Sequence, residues 1–152
     1  MGFTTLSLKG RALRLLSQRE HSRAELLRKL SPHVQEGEDL NAVLDDLQSK
    51  DFINEARVVE SVLHRRAGRL GAARIRQELQ SKGLGAEAVQ DAVAQLQSSE
   101  LERAREVWRR KFGEPATDPQ TRAKHMRFLL ARGFSGDVVR RAVQGAGASD
   151  EE

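Results

Sequence analysis

The sequence predicts an all-α protein made of three tandem three-helix repeats that form an elongated, curved array. Apolar residues recur at helical spacing along most of the chain, and the same apolar pattern returns about every fifty residues. The apolar supply is mostly Leu, Val and Ala, with five Phe, one Trp and no Tyr, which favours helices. A chain of 152 residues would also suit one compact domain, so the repeat pattern is the observation that favours an array.

The first repeat is predicted to span residues 1–53 and to contain three short helices. The first helix runs over about 7–18, and the second begins at a capping box in which Ser22 and Glu25 bond to each other's backbone amides. Pro32 prevents the second helix from continuing, and a third helix follows a polar turn. The residues expected to face the core are Leu13, Leu16, Leu26, Leu27, Leu30, Leu40, Val43, Leu44 and Leu47.

The second repeat, predicted over residues 54–98, follows the same plan. Its helices are expected at 55–66, 71–82 and 86–97, and Gly83 supplies the left-handed stop of the middle helix. The residues expected inside are Val59, Val62, Leu63, Ala72, Ile75, Leu79, Val89, Ala92, Val93 and Leu96.

The third repeat is predicted over residues 99–145. It opens with a helix at 101–112, and the following segment GEPATDP is a loop because it holds two prolines. The acidic tail at 146–152 is expected to be disordered.

The internal repeat shows as a constant register between apolar positions. A shift of 49 places Leu26 on Ile75, Leu30 on Leu79, Leu40 on Val89, Val43 on Ala92, Leu44 on Val93 and Leu47 on Leu96. A further shift of 50 places Leu79 on Leu129, Gly83 on Gly133, Leu84 on Phe134, Val89 on Val139, Ala92 on Ala142 and Val93 on Val143. Stacked units that share one plan explain such a register.

Charge is distributed unevenly along the repeats. Residues 31–55 carry a net charge of −6, whereas residues 57–82 carry +5 and residues 103–141 carry +7. Of the 26 cationic residues 20 are Arg, which favours bidentate contacts to phosphate or carboxylate. The cations predicted to bind a partner or DNA form two clusters: Arg65, Arg66, Arg69, Arg74, Arg76 and Lys82, and Arg109, Arg110 and Lys111. The alternative is an ordinary solvated face.

The residues give no support to an enzyme. The four histidines lie on separate predicted elements without a metal-site spacing, and phosphate-binding loops and nucleophile elbows are absent from the sequence. Asp45 and Asp46 are adjacent on a helix and do not face one another, so they suit surface charge better than acid–base chemistry. We therefore expect no catalytic residues, no metal and no cofactor.

The chain is also expected to be cytoplasmic and not to associate with membranes. It has no cysteine, no apolar run of 18 residues and no signal-peptide pattern.

One set of residues resembles the RecX family of bacterial regulators of the RecA recombinase. The strongest part is the I-R-Q-E-L-x-x-K-G run, combined with an H-S-x-x-E-L run about fifty residues earlier. Val58 and Val62 depart from the family, which often has aromatic residues there. The matching positions are Ala12, Leu13, Leu16, Arg19, His21, Ser22, Glu25, Leu26, Lys29, Leu30, Glu55, Ala56, Arg57, Arg65, Gly71, Ile75, Arg76, Gln77, Glu78, Leu79, Lys82 and Gly83.

The resemblance implies tandem three-helix repeats that bind along the groove of the RecA filament on single-stranded DNA. It also implies inhibition of the ATPase and strand exchange of RecA, and hence a place in homologous recombination, DNA repair and the SOS response. The expected oligomeric state is a monomer, which contacts single-stranded DNA through the filament or weakly on its own.

The residues are also compatible with two other functions. One is an independent DNA-binding protein with helix-turn-helix-like repeats, and the other is a helical scaffold for an acidic protein. Arg binds phosphate and carboxylate alike, so the residue types separate these hypotheses poorly. The arginines are spread over two repeats instead of one recognition helix, which favours an extended contact surface.

Overall fold

The computed structural model describes residues 6–144 and confirms the all-α prediction. Within that range the regular structure consists of nine α-helices and one 3₁₀ turn, with no β-strand. The helices are α1 (Leu8–Gln18), α2 (Arg23–Leu30), α3 (Leu40–Ser49), α4 (Glu55–Arg66), α5 (Ala72–Ser81), α6 (Ala86–Gln97), α7 (Glu100–Lys111), α8 (Pro119–Ala131) and α9 (Gly136–Gln144), and the 3₁₀ turn is Ser31–His33.

Short polar side chains fix the starts of five helices. Their N-caps accept hydrogen bonds from backbone amides that have no partner inside the helix. The predicted capping box is present: Ser22 Oγ accepts from the Glu25 amide at 3.1 Å, and Glu25 Oε1 accepts from the Ser22 amide at 2.9 Å. The five capping residues are Ser7, Ser22, Asp39, Asn54 and Asp118.

Three separate apolar clusters form the interior. The first draws on α1–α3, the second on α4–α6 and the third on α7–α9, and the most extensive helix contacts lie within each group. Each group is called a unit below. The boundaries predicted after residues 53 and 98 fall between the clusters and remain a proposal, as does the elongated, curved shape. The tail at 146–152 lies outside the described residues.

The centre of the buried face differs from the prediction in two helices. In α4 the buried residues are Val58 and Val62, whereas Val59 and Leu63 lie at the edge of the core and are half-buried. Four apolar residues form one wide stripe on this helix, and their spacing does not tell which pair is central.

In α1, too, the most buried residues are not the predicted ones. The fully buried residues are Leu8 and Ala12, while Leu13 and Leu16 are half-buried. A helix at the end of the array rests on one neighbouring face only, so part of its apolar stripe stays accessible. Two other predicted core residues, Leu27 and Val43, are also half-buried.

His125, one of the four histidines for which the sequence predicts no metal site, is buried. Trp108 Nε1 donates to His125 Nδ1 at 3.0 Å, and the imidazole stacks on Phe112 with ring centroids 3.8 Å apart. Burial, with a smaller contribution from the charge of Lys124, lowers the pKa of His125 below its ordinary value. The neutral imidazole is therefore part of the third core.

The buried stripe of α5 gives the first testable prediction. Leu79 has 0% of its surface exposed, so Leu79→Ala should lower the free energy of unfolding by about 2–5 kcal/mol. Urea unfolding followed by circular dichroism at 222 nm measures this change. Leu130→Ala is the matched control, because Leu130 is 47% exposed and its loss should cost less than about 1 kcal/mol. Equal losses at the two positions would contradict the assignment of the core.

The first and second units meet where the C-terminal end of α5 lies against the start of α2. Ser22 Oγ donates to the Lys82 carbonyl oxygen at 2.5 Å, and Lys82 Nζ forms an ion pair with Glu25 at 3.1 Å. Gly83 adopts a φ of +76°, and an added Cβ would lie 2.5 Å from the Ala24 Cβ. This contact, called the first junction, therefore needs glycine for both conformation and space.

The second junction repeats this arrangement between α8 and the start of α5. The Gly71 amide donates to the Arg132 carbonyl at 2.7 Å, and the Ala73 amide donates to the Gly133 carbonyl at 3.2 Å. A Cβ added at Gly71 would lie 2.5 Å from the Phe134 backbone nitrogen, so the backbones meet directly. The aligned glycines Gly83 and Gly133, which follow the ends of α5 and α8, thus also make the contacts between units.

A buried ion pair adds a side-chain link across the second junction. Glu100 and Arg103 of α7 are 2.6 Å apart, and the Glu100 carboxylate accepts from the Ala72 amide at 3.3 Å. Arg103 Nη1 donates at 2.8 Å to the carbonyls of both Ala67 and Leu70, beyond the end of α4. The acid thus lies at the positive start of one helix, and the base lies at the negative end of another.

Candidate functional site

The nine predicted cations do not form one continuous surface. Some are tied to carboxylates or carbonyls, one is buried, and three meet at a pocket between the second and third units.

Arg65 and Arg66 lie in the last turn of α4 and face α5. Arg66 Nε donates to Glu78 Oε1 at 3.0 Å, while Arg65 lies 3.9 Å from the other Glu78 oxygen. Both side chains are 38% exposed. Glu78 therefore neutralises part of the charge that the sequence suggests at this position.

Arg74 and Arg76 point to different surroundings. Arg74 Nη1 donates to the Ala131 carbonyl at 2.7 Å, so it helps to cap the end of α8. Arg76 lines a separate cavity of about 510 Å³ that also contains Glu100 and Val138.

Lys82 requires a correction. The prediction placed it on an exposed cationic surface, but its side chain is only 10% exposed and is paired with Glu25 at 3.1 Å. The Glu25 carboxylate also accepts from Arg19 at 2.9 Å. Lys82 is therefore a structural residue of the first junction, and we exclude it from the candidate surface.

The second predicted cluster, Arg109, Arg110 and Lys111, lies at the end of α7. Arg109 and Arg110 are well exposed and lie 3.4 Å and 3.3 Å from the Glu106 carboxylate. Exposed pairs of this kind contribute little to stability and leave the guanidinium groups accessible to a partner. Lys111 follows them and forms no ion pair among residues 6–144.

A pocket of about 250 Å³, called the junction pocket, brings parts of the two predicted clusters together. Arg69 comes from the connection between α4 and α5, whereas Arg110 and Lys111 come from α7. Arg132, the C-cap of α8, adds a fourth cation, and no acidic residue lines the pocket. The lining residues are Gly68, Arg69, Val107, Arg110, Lys111, Phe128 and Arg132.

Phe128 holds two of these cations close together. The Arg132 guanidinium lies 4.7 Å from the Phe128 ring centroid and the Lys111 ammonium lies 5.3 Å from it. Phe112 meets the same ring edge-on, with centroids 5.5 Å apart. The ring therefore positions both cations through cation–π contacts and leaves their N–H groups available for an anion.

Arg132 is the functional candidate that the sequence analysis missed. Only its neighbour Gly133 enters the repeat alignment, opposite Gly83. The i, i+4 spacing of Arg132 from Phe128 places a cation over an aromatic ring on one helix face, and this spacing was the available signal.

The described part of the chain contains no cluster of three or more His, Asp or Glu side chains that could hold a metal ion. None of the helices within residues 6–144 is long and apolar enough to cross a membrane.

Comparison with known proteins relates this architecture to a family of regulators. The model described as "RecX, second three-helix domain" matches residues 54–93, and "RecX, third three-helix domain" matches residues 98–143. The chain is 59% identical over 139 residues to the "Regulatory protein RecX" of Leptothrix cholodnii, an alignment that covers 91% of this chain and 88% of that protein. It is 53% identical over 143 residues to the protein of the same name from Ralstonia nicotianae, covering 94% and 90%.

The fold is also similar to a solved structure, the crystal structure of RecX from Lactobacillus salivarius. The TM-score is 0.72 at 22% sequence identity, over 91% of this chain and 94% of that chain. This likeness supports the all-α helical repeat fold, and the sequence similarity described above extends through nearly the whole chain.

Proposed function

The chain belongs to the RecX family of regulatory proteins, and from this membership we propose that it regulates the RecA recombinase. In this proposal it binds the RecA–single-stranded DNA filament and suppresses ATP hydrolysis and strand exchange, with effects on recombination, repair and the SOS response. The protein acts in the cytoplasm as a monomer and needs no cofactor or catalytic residue.

The observation that carries the proposal is the exposed positive charge on two neighbouring units. Arg69, Arg110 and Lys111 line one pocket, and Arg109 lies beside it on α7. A surface with this charge can engage phosphate groups of DNA or acidic groups of a filament at several points. Arg65, Arg66, Arg74 and Arg76 extend the proposed contact, although Glu78 and the Ala131 carbonyl hold three of them.

Reversing the charge of the second cluster tests this proposal. The triple variant Arg109→Glu, Arg110→Glu and Lys111→Glu should lose inhibition of RecA ATP hydrolysis on single-stranded DNA by at least about tenfold. Circular dichroism should be unchanged, because these side chains are exposed. The affinity of the unaltered protein for the filament should also fall steeply between 50 and 200 mM salt, as charge-dominated binding does.

A matched control carries the same change of charge away from the pocket. Arg14→Glu, Arg28→Glu and Arg140→Glu alter three exposed residues on α1, α2 and α9. This control should retain inhibition. If both triple variants inhibit equally well, the proposed contact is wrong.

The second candidate function is independent DNA binding, which the same cations favour. Binding to bare single-stranded DNA and to the RecA filament should be compared at physiological salt. Equal affinity for the two, together with unchanged ATP hydrolysis, would replace the regulator hypothesis with the DNA-binding one.

A further inference from the structure

The two junctions bring corresponding parts of the repeat together, a glycine that ends one helix and the start of a middle helix, but they differ in charge balance. A shift of 49 places Glu25 on Arg74, and a shift of 50 places Lys82 on Arg132. At the first junction the cation has a buried carboxylate partner at 3.1 Å. At the second junction both equivalent residues are arginines, and the carboxylate that reaches this junction, Glu100, is already paired with Arg103 at 2.6 Å.

The side chains near the second junction do not neutralise the positive charge of these two arginines. Arg74 donates to the Ala131 carbonyl, which satisfies its hydrogen bonding but adds no negative charge. Arg69 and Arg132 form no ion pair within residues 6–144. Two further cations, Arg110 and Lys111, line the same pocket of about 250 Å³. Arg110 pairs at 3.3 Å with Glu106, which does not line the pocket, so three of the four cations have no ion pair within residues 6–144.

The pocket spans the junction. Arg69 belongs to the second unit, whereas the other three cations belong to the third. The Arg132 carbonyl also accepts the Gly71 hydrogen bond that joins the two units, two residues after Arg69. An anion bound among these side chains would therefore contact both units and reduce the repulsion between them.

The chemistry of the pocket favours a phosphate group. Guanidinium groups match phosphate oxygens with paired N–H donors, and three of the four cations are arginines. The Phe128 ring is already contacted by Lys111, Arg132 and Phe112, so the ligand is recognised through its charge and oxygen atoms rather than by ring stacking. We propose that the junction pocket binds a phosphate group, and that this binding holds the third unit against the second.

Inorganic pyrophosphate is the probe, and thermal unfolding is the first measurement. The assay contains neither RecA nor DNA, so its result is independent of the proposed regulatory function. At a pyrophosphate concentration of about 100 times Kd the midpoint should rise by about 5 °C or more. Sodium chloride and citrate at the same ionic strength should produce a smaller rise, because a site built for phosphate discriminates against other anions. An equal rise with citrate would overturn the assignment to phosphate.

Two matched double variants test whether pyrophosphate stabilises the protein by binding in the junction pocket. Arg69→Gln with Arg132→Gln should abolish the response to pyrophosphate. Arg122→Gln with Arg127→Gln removes the same charge from α8 and should retain it, because these two residues are outside the pocket. The same response in both double variants would overturn the proposal.

A third variant keeps the test decisive if the first double variant does not fold. Arg74→Glu restores the carboxylate that the first junction has at Glu25. It also removes the hydrogen bond from Arg74 to the Ala131 carbonyl, so its midpoint without ligand is not the test. It should reduce the response to pyrophosphate by at least half, and a variant with the full response would contradict the proposed charge deficit.

Hydrogen exchange gives a local readout. Pyrophosphate should slow exchange of the Gly71 and Ala73 amides, which donate across the second junction, at least threefold. The Ser22 and Glu25 amides at the first junction serve as internal controls and should not change. Binding without protection of residues 71 and 73 would show that the anion does not hold the units together.

Discussion

Replacing Arg103 with methionine is expected to lower the free energy of unfolding by about 3–5 kcal/mol, because it removes one partner of a buried ion pair. The Arg103 side chain is 13% exposed and donates to Glu100, Ala67, Leu70 and Leu96. Methionine is shorter, apolar and without a donor, so Glu100 would stay buried with an uncompensated charge. Three carbonyl groups would also lose a donor.

Urea unfolding at pH 7 measures this loss, with Arg109→Met on the same helix as the control. Arg109 is 55% exposed and pairs only with an exposed Glu106, so its replacement should cost less than about 1 kcal/mol. The double variant Glu100→Gln, Arg103→Met should be more stable than Arg103→Met alone, since it removes the unpaired charge. A loss below about 1 kcal/mol for Arg103→Met would show that the ion pair is dispensable.

Glu25→Gln is expected to destabilise the protein at neutral pH and to remove much of its sensitivity to acid. Burial by itself raises the pKa of Glu25, but hydrogen bonds from Arg19, Ser22 and Lys82 outweigh it and lower the pKa to about 2. The folded protein therefore binds the proton less readily than the unfolded chain. The carboxylate stabilises the fold above about pH 4.5, and this contribution is lost as the pH falls towards 2.

Because the pKa falls from an ordinary 4.5 to about 2, this contribution is about 3 kcal/mol. Urea unfolding at pH 7, 4 and 3 should show a stability difference between unaltered protein and Glu25→Gln that narrows with acid. Glu87→Gln, an exposed change on α6, is the control and should run parallel to the unaltered protein. A constant difference from pH 7 to 3 would contradict the assigned role of Glu25. The depressed pKa of His125 lowers stability below about pH 6.5 in all three proteins, so it cancels in the comparison.

Features that depend only on residues close together in the sequence were predictable. The bounds of α4 and α6 match the predicted ranges 55–66 and 86–97, because helix starts, stops and apolar spacing are local signals. The capping box of α2 is another such signal and is present as expected. Which edge of a wide apolar stripe becomes central depends on the neighbouring helix. In α4 the predicted core residue Val62 is therefore confirmed, whereas Val58 is buried in place of Val59 and Leu63.

The candidate site was less predictable, because its properties arise between units. Lys82 was predicted to be exposed, yet its carboxylate partner is 57 positions away in the sequence. Arg132 joins the pocket only because α7, α8 and the connection after α4 meet there. The clusters of Arg and Lys indicate where positive charge is abundant, whereas the fold decides which charges are neutralised.

The glycine contacts at the two junctions have a consequence for how such a protein could evolve. Each unit boundary is formed by a glycine stop on one side and the start of a middle helix on the other, and the second unit carries both halves in α5. A duplicated copy of that unit would therefore bring a complete pair of complementary ends to its neighbours. Because each boundary depends on a close contact at a glycine that ends a helix, the charged side chains around it can diverge after duplication while that contact is preserved.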